Sequence, residues 1–180
     1  SLISPAILLP AGAGGAVFTF RHAWNFESAT SSFDGAVLEL STDGGTTYND
    51  VTSPAVGGVF STGGYTGTIS SSFSNPIGGR AAWVRAQASY VLTTLRLPAA
   101  LDGQTVRLRF RAGFDSSTTA ANPNWRIDSL ATQSFICNTG PGICSGPPAQ
   151  LAIGTQPTDS MAGASISPAV TVRILDAGGV

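Results

Sequence analysis

The sequence predicts an all-β fold, a β-sandwich of antiparallel strands. Apolar and polar residues alternate in several segments, glycine and Asn/Asp turns separate those segments, and no amphipathic helical pattern runs for three turns. The alternation is clearest near residues 16–26, where one face carries Phe18, Phe20, His22, Trp24 and Phe26. The opposite face of that strand is polar, so one face is expected in the core and the other in water.

Further strands are predicted near 35–41, 66–70, 81–86, 89–97, 105–112 and 124–132. Turns at 43–45 and 102–103 contain Asp-Gly, a dipeptide typical of tight turns. In the strand near 106, apolar residues alternate with Arg107, Arg109 and Arg111. The arginine face is expected to be a solvated sheet surface, with an acidic partner as the alternative.

The order of segments 18–27, 34–45, 63–69, 106–111 and 125–128 resembles a known family. It is similar to the MAM-like jelly-roll accessory modules that follow the catalytic domain in secreted bacterial metalloproteases such as immune inhibitor A. The resemblance covers about 110 residues. It implies an antiparallel jelly-roll β-sandwich in an accessory role. The metalloprotease motif of those enzymes is missing here, so their activity does not carry over.

Three regions are expected along the chain: a jelly roll at 1–138, a Gly/Pro-rich linker at 139–148, and a C-terminal segment at 149–180. The last resembles the opening strands of a bacterial immunoglobulin-like repeat. About 30 residues cannot bury a core of their own. Either that domain is cut short, or its strands pair with another molecule.

Composition restricts the partners and the compartment. Only 11% of residues are charged, the net charge is −1 and lysine is absent, so neither nucleic acid nor an anionic membrane is expected as a partner. No apolar stretch approaches the ~20 residues that span a bilayer. The first ten residues lack a starting Met and a basic region, which predicts a segment of a longer precursor rather than an intact signal peptide.

The two cysteines, Cys137 and Cys144, flank a Gly/Pro-containing loop that would let them meet. A zinc site would need more ligands than the single His22 adds, so a disulfide is the better interpretation. A disulfide implies an oxidising compartment, which predicts an extracellular or cell-surface location.

No catalytic constellation is recognisable. His22 is the only histidine and lies in line with aromatic residues, which is typical of a hydrogen-bonded core histidine. No nucleophile elbow, zinc helix or phosphate loop occurs. The chain is therefore predicted not to be an enzyme; a glycoside hydrolase would need a pair of carboxylates close together.

Carboxylates at predicted strand ends suggest a structural calcium ion, since calcium prefers six to eight hard oxygen ligands. The family resemblance implies a site at Glu27, Asp34 and Asp128, with Asp115 as a weaker fourth ligand. Ser129 stands where relatives commonly carry a second acidic residue. In the alternative interpretation, Asp34 and Asp115 are turn residues and Glu27 pairs with Arg126.

Five aromatic side chains are candidates for a sugar-stacking platform: Trp24, Trp83, Trp125, Tyr65 and Tyr90. Trp24 lies in the apolar stripe and Trp125 begins a strand motif of the family, so both are expected in the core. Trp83 is the predicted ligand-binding residue.

These observations predict a noncatalytic extracellular β-sandwich module that serves in binding or adhesion, or as a spacer, with a glycan or surface protein as partner. The alternative is a structural subunit of an extracellular fibre, in which the chain self-associates by donating strands from 149–180.

Overall fold

A computed structural model describes residues 1–27, 31–117, 120–134, 148–155 and 171–176. The chain forms two compact units, Ser1–Ser134 and Phe135–Val180. Cys137 and Cys144, with most of the predicted linker, lie outside the described residues. No helix among these residues is long and apolar enough to cross a membrane.

The fold is all-β, as predicted. Its strands in chain order are β1 Leu2–Ile3, β2 Ile7–Leu8, β3 Ala16–Asn25, β4 Gly35–Ser41, β5 Asn49–Asp50, β6 Val59–Thr62, β7 Gly67–Thr68, β8 Ala81–Val84, β9 Ala86–Leu97, β10 Thr105–Gly113, β11 Asn124–Ser134, β12 Pro148–Thr155 and β13 Thr171–Asp176. A 3-10 turn, Ala99–Leu101, precedes β10. The seven predicted strands are present, and β1, β2, β5 and β6 are additional.

The first unit is a jelly roll. One sheet has the order β1-β10-β4-β8-β7, with β2 and β5 on its margins, and the second has the order β11-β3-β9-β6. The pairs β3–β11, β4–β10, β6–β9 and β7–β8 are all antiparallel. Along the chain, the first partners of the four pairs come in the order β3, β4, β6 and β7, and their second partners follow in the reverse order, β8, β9, β10 and β11. A long hairpin of four strand pairs wrapped into two sheets is the jelly-roll topology.

The core lies between the two sheets, where the inward positions of facing strands meet. Phe18, Phe20 and Trp24 of β3 pack against Leu38 of β4 and Leu108 of β10, all nearly closed to solvent. These are the apolar residues of the alternating sequence pattern. The pattern therefore correctly predicted which face of each alternating strand lies in the core.

Strand β4 is buried on both faces along its whole length. Its outward Val37 is covered by Ile69 and Ile77, from the segment between β7 and β8. Covering the outer face explains why β4 lacks the exposed polar positions expected of a strand in an antiparallel sheet.

Glu39, which also points outward from β4, is 2% exposed and holds two arginines. Its carboxylate oxygens accept hydrogen bonds at 2.6 Å from Arg80 Nη1 and from Arg109 Nε. Arg109 lies opposite Glu39 in the β4–β10 register, and Arg111 Nη1 is 3.8 Å from the same carboxylate. The prediction of a purely solvated arginine face is therefore wrong here, because the acidic partner is supplied by the neighbouring strand.

In the second unit, β12 and β13 form an antiparallel hairpin. Leu151 and Ile153 of β12 are 75% and 54% exposed. A two-stranded hairpin is only marginally stable by itself in water. The immunoglobulin-like character of 149–180 stays a prediction, because its intervening residues lie outside the described part.

Candidate functional site

Three carboxylates lie near one another at one end of the sandwich. Glu27 follows β3, Asp34 immediately precedes β4, and Asp115 follows β10. The pairing of Gly35 with Gly113 brings the start of β4 beside the end of β10. The backbone N–H of Asp115 consequently donates a hydrogen bond to Asp34 Oδ1 at 2.9 Å.

The electrostatics of this carboxylate cluster disfavour negative charge. Burial, and then the charges of Asp115 and Asp34, raise the pKa of Glu27. Burial also raises the pKa of Asp34, partly offset by the hydrogen bond from the Asp115 backbone. Like charges held close together in a desolvated place favour protonation or a bound cation.

Two oxygens of the cluster lack protein partners. Asp34 is completely closed to solvent, and its Oδ2 has no hydrogen-bond partner among the described residues. Glu27 is half-buried, and its buried Oε2 also has no hydrogen-bond partner there. Asp115 has partners, since its carboxylate accepts bonds from the backbone and hydroxyl of Ser117 at 2.9 Å each. An unpartnered buried oxygen is costly unless a cation, proton or water satisfies it.

As the side chains stand, no group of three Cys, His, Asp or Glu residues within the described segments forms a metal site. The cluster nevertheless supplies the hard oxygens that calcium prefers, and this ion commonly completes its shell with backbone carbonyls and water. Glu27 and Asp34 each have an unpartnered buried oxygen and are therefore the residues of the cluster available to hold such an ion.

Asp128 does not belong to the cluster. It lies on β11 opposite Arg21, is exposed, and accepts a hydrogen bond from the Ser129 backbone at 2.6 Å. Arg21 is four residues before Asn25, about 13 Å along the strand. The prediction that Asp128 joins Glu27 and Asp34 is therefore wrong, and Asp115 takes the place that the sequence had assigned to it.

His22 is buried in the core with both ring nitrogens hydrogen-bonded, which confirms the prediction of a core histidine. Trp125 Nε1–H donates to Nδ1 at 3.0 Å, so Nδ1 carries no proton. Nε2–H therefore donates to Thr93 Oγ1 at 2.9 Å, and that hydroxyl donates to the Gly63 carbonyl at 2.7 Å. Burial lowers the pKa of His22 to about 4, so the ring is neutral at pH 7.

Gly63 belongs to this arrangement through its backbone. Its φ is +64°, and a Cβ there would lie 2.4 Å from the Leu92 carbonyl oxygen, so no other residue fits without movement. The same carbonyl of Gly63 accepts a hydrogen bond from Trp83 Nε1 at 2.9 Å. One glycine carbonyl thus joins the histidine chain to the tryptophan cluster.

Trp83 has no exposed surface. Its ring packs edge-on against Phe20, Phe60 and Tyr65 at centroid distances of 5.9, 5.5 and 4.8 Å. The predicted sugar-stacking role of Trp83 is wrong for the folded chain, because the ring offers no face to a ligand. Of the five aromatic candidates for sugar stacking, Tyr90 is the most exposed, at 43%.

Comparisons with known proteins give no further indication of function: no protein-family model, no curated protein and no solved structure matches the chain. Function is therefore inferred from the residues and their geometry.

Proposed function

We propose that this chain is a noncatalytic β-sandwich module of a secreted or cell-surface protein, serving in binding or adhesion, or as a spacer. The observation that carries the proposal is the state of His22. The only side chain whose ordinary pKa suits acid–base chemistry near pH 7 is held neutral in the core, with both nitrogens hydrogen-bonded. Its hydrogen bonds connect β3 to its two neighbouring strands, β11 and β9, so its role is structural within the second sheet.

The carboxylate cluster supports a structural role better than a hydrolytic one. A hydrolase would use Glu27 or Asp34 against a substrate, but Asp34 is completely closed to solvent. In this proposal Glu27, Asp34 and Asp115 hold a calcium ion that links the segments following β3 and β10 to the start of β4. The ion offsets the repulsion among the three carboxylates.

Calcium at 2 mM is expected to raise the unfolding temperature of the chain by about 5 °C relative to EDTA, if affinity is near the ~10⁻⁴ M of extracellular sites. Asp34→Asn should abolish this calcium-dependent shift, because it removes the charge of the buried ligand. Thermal unfolding of each variant with and without calcium makes the comparison.

Asp128→Asn is the matched control, since it removes the same charge on an exposed strand position away from the cluster. It should keep the full calcium shift. Equal unfolding temperatures of the parent chain with calcium and with EDTA would contradict the calcium proposal, as would a shift that Asp128→Asn removes and Asp34→Asn keeps.

A second candidate function is a fibre subunit joined by strand donation. The exposed Leu151 and Ile153 on a two-stranded hairpin favour it, because a further strand would cover this apolar surface and pair the open edges. Repeated head-to-tail, such a contact propagates into a filament.

Size-exclusion chromatography with light scattering, over a concentration series, distinguishes the two functions. For the module proposal we expect the 18.2 kDa monomer mass at every concentration. Concentration-dependent assembly that Leu151→Asp abolishes would contradict the module proposal and support the fibre. Thr155→Asp, on the same strand, controls for the added charge.

A further inference from the structure

The outer face of the second sheet is formed by four strands, β11, β3, β9 and β6. The register between these strands shows which residues lie on that face. Arg21 of β3 pairs with Leu92 of β9 on one side and with Asp128 of β11 on the other. Since His22, between Arg21 and Ala23, points into the core, Arg21 and its lateral neighbours point away from it.

This face is positively charged although the chain as a whole carries −1. By register its charged members among the described residues are Arg21, Arg96, Arg126 and Asp128, three cations and one anion. All four are exposed. The other acidic residues of the first unit lie in the carboxylate cluster, in turns, or beside Arg80 and Arg109 on the first sheet.

Two of the arginines are close neighbours. Arg126 is opposite Ala23, two positions along β3 from Arg21, which places the two arginines diagonally at roughly 7–8 Å. Arg126 lies over the Tyr90 ring, with its guanidinium carbon 5.5 Å from the ring centroid, and its Nη2 donates to the Ala88 carbonyl at 3.3 Å. The guanidinium is thereby held in place before any ligand arrives.

The rest of the face is suited to hydroxyl groups. A row of three threonines, Thr19, Thr94 and Thr62, crosses β3, β9 and β6 between the positions of Arg21 and Arg96. Three exposed apolar residues are interspersed with them: Tyr90 and Leu92, neighbours on β9 at 43% and 45% exposure, and Val59 of β6, opposite Arg96, at 62%. A protein interface normally has a contiguous apolar centre, whereas alternating arginines, hydroxyls and single rings match a charged sugar chain.

We propose that this outer face, centred on Arg21, Tyr90 and Arg126, binds an acidic polysaccharide. Guanidinium groups pair with the carboxylate or sulfate groups of the sugar, an interaction for which the planar fork of arginine is well suited. The threonine row hydrogen-bonds sugar hydroxyls, and Tyr90 with Leu92 contacts the apolar ring faces. The inference rests on the proposed function as a binding module and names its partner class.

The test measures binding of the full chain to polygalacturonate, which carries carboxylates, and to dextran sulfate, with neutral dextran as the uncharged reference. The double variant Arg21→Ala/Arg126→Ala is expected to raise Kd at least about tenfold, corresponding to the loss of charge-assisted hydrogen bonds. Added salt should weaken binding by the parent chain, since the charges are exposed. Binding to one polymer alone identifies which anion is preferred.

Arg107→Ala is the control, because it removes a cation from the other sheet, where Arg107 Nη1 donates a hydrogen bond to the Ser4 carbonyl at 3.3 Å. Its Kd should stay within about twofold of the parent value. Unfolding midpoints of all variants check that each is folded.

Failure to bind either anionic polymer would overturn the proposal, as would equal losses in the double variant and in Arg107→Ala. Polyglutamate bound as tightly as the polysaccharides would also overturn it, in favour of an acidic protein. In each of these cases, a monomeric mass in light scattering would still agree with the proposed noncatalytic module. Assembly through β12 would contradict the module function, independently of the polysaccharide result.

Discussion

Replacing Trp83 with alanine is expected to lower the free energy of unfolding by about 4 kcal/mol. The side chain is completely buried, and its removal leaves a large cavity among the surrounding rings of Phe20, Phe60 and Tyr65. The indole N–H is also lost from the Gly63 carbonyl, although Thr93 still donates to that oxygen. Urea denaturation followed by circular dichroism measures the change.

Tyr90→Ala is the control for this substitution. Tyr90 is 43% exposed on an outer sheet face, so its removal should change stability by about 0.5 kcal/mol or less. A Trp83→Ala variant that unfolds at the parent urea concentration, with only ligand binding lost, would contradict the buried position and restore the sugar-stacking interpretation.

Lowering the pH from 7 to 4 is expected to reduce stability through His22 by about 3 kcal/mol. Folding lowers the pKa of His22 from about 6.5 to about 4, so the unfolded chain binds a proton at a pH where the folded chain does not. This contribution is complete above pH 6.5, is lost as pH falls toward 4, and changes no further below that. Protonation at Nδ1 also breaks the bond from Trp125.

The carboxylate cluster opposes this trend. The raised pKa values of Glu27 and Asp34 mean that these groups add stability at low pH and lose it as pH rises through their folded pKa. A His22→Gln variant isolates the histidine, because the carboxylates titrate equally in both chains. The difference in unfolding free energy between the two chains should shrink as the pH falls from 6.5 to 4.

NMR provides a direct check, since the chain has one histidine and its ring resonances need no further assignment. A titration midpoint near 6.5 in the folded protein would contradict the buried, neutral ring. A constant stability difference between the parent and His22→Gln over this pH range would do the same.

Sequence alternation predicted the strands that have one face in the core. In β3 and β10 every second residue is apolar, with His22 the exception, and these residues lie between the sheets. Strand β6 was missed because it has only four residues, of which only Phe60 packs on the core. Its pairing with β9 nevertheless completes the four nested pairs of the jelly roll.

The position of Trp83 was not predictable from alternation. Ala82, Trp83 and Val84 are all apolar, so the pattern does not indicate which of them faces the core. The pairing of Trp83 with Ala36, an inward residue of β4, decides the question, and the segment covering β4 buries its neighbours on the other face. A strand that is buried on both sides is apolar on both faces, so its sequence shows no alternation of apolar and polar residues that would identify the inner face.

The all-β class, the inward faces of the long strands and the burial of the only histidine could be predicted from the sequence, because side-chain alternation is a local property of each strand. Three features depend on tertiary packing: Asp115 rather than Asp128 bonds Asp34, Glu39 accepts from Arg109, and Trp83 is closed to solvent. Each of these depends on the register between strands far apart in the chain, and register is set by the packing of the whole sandwich.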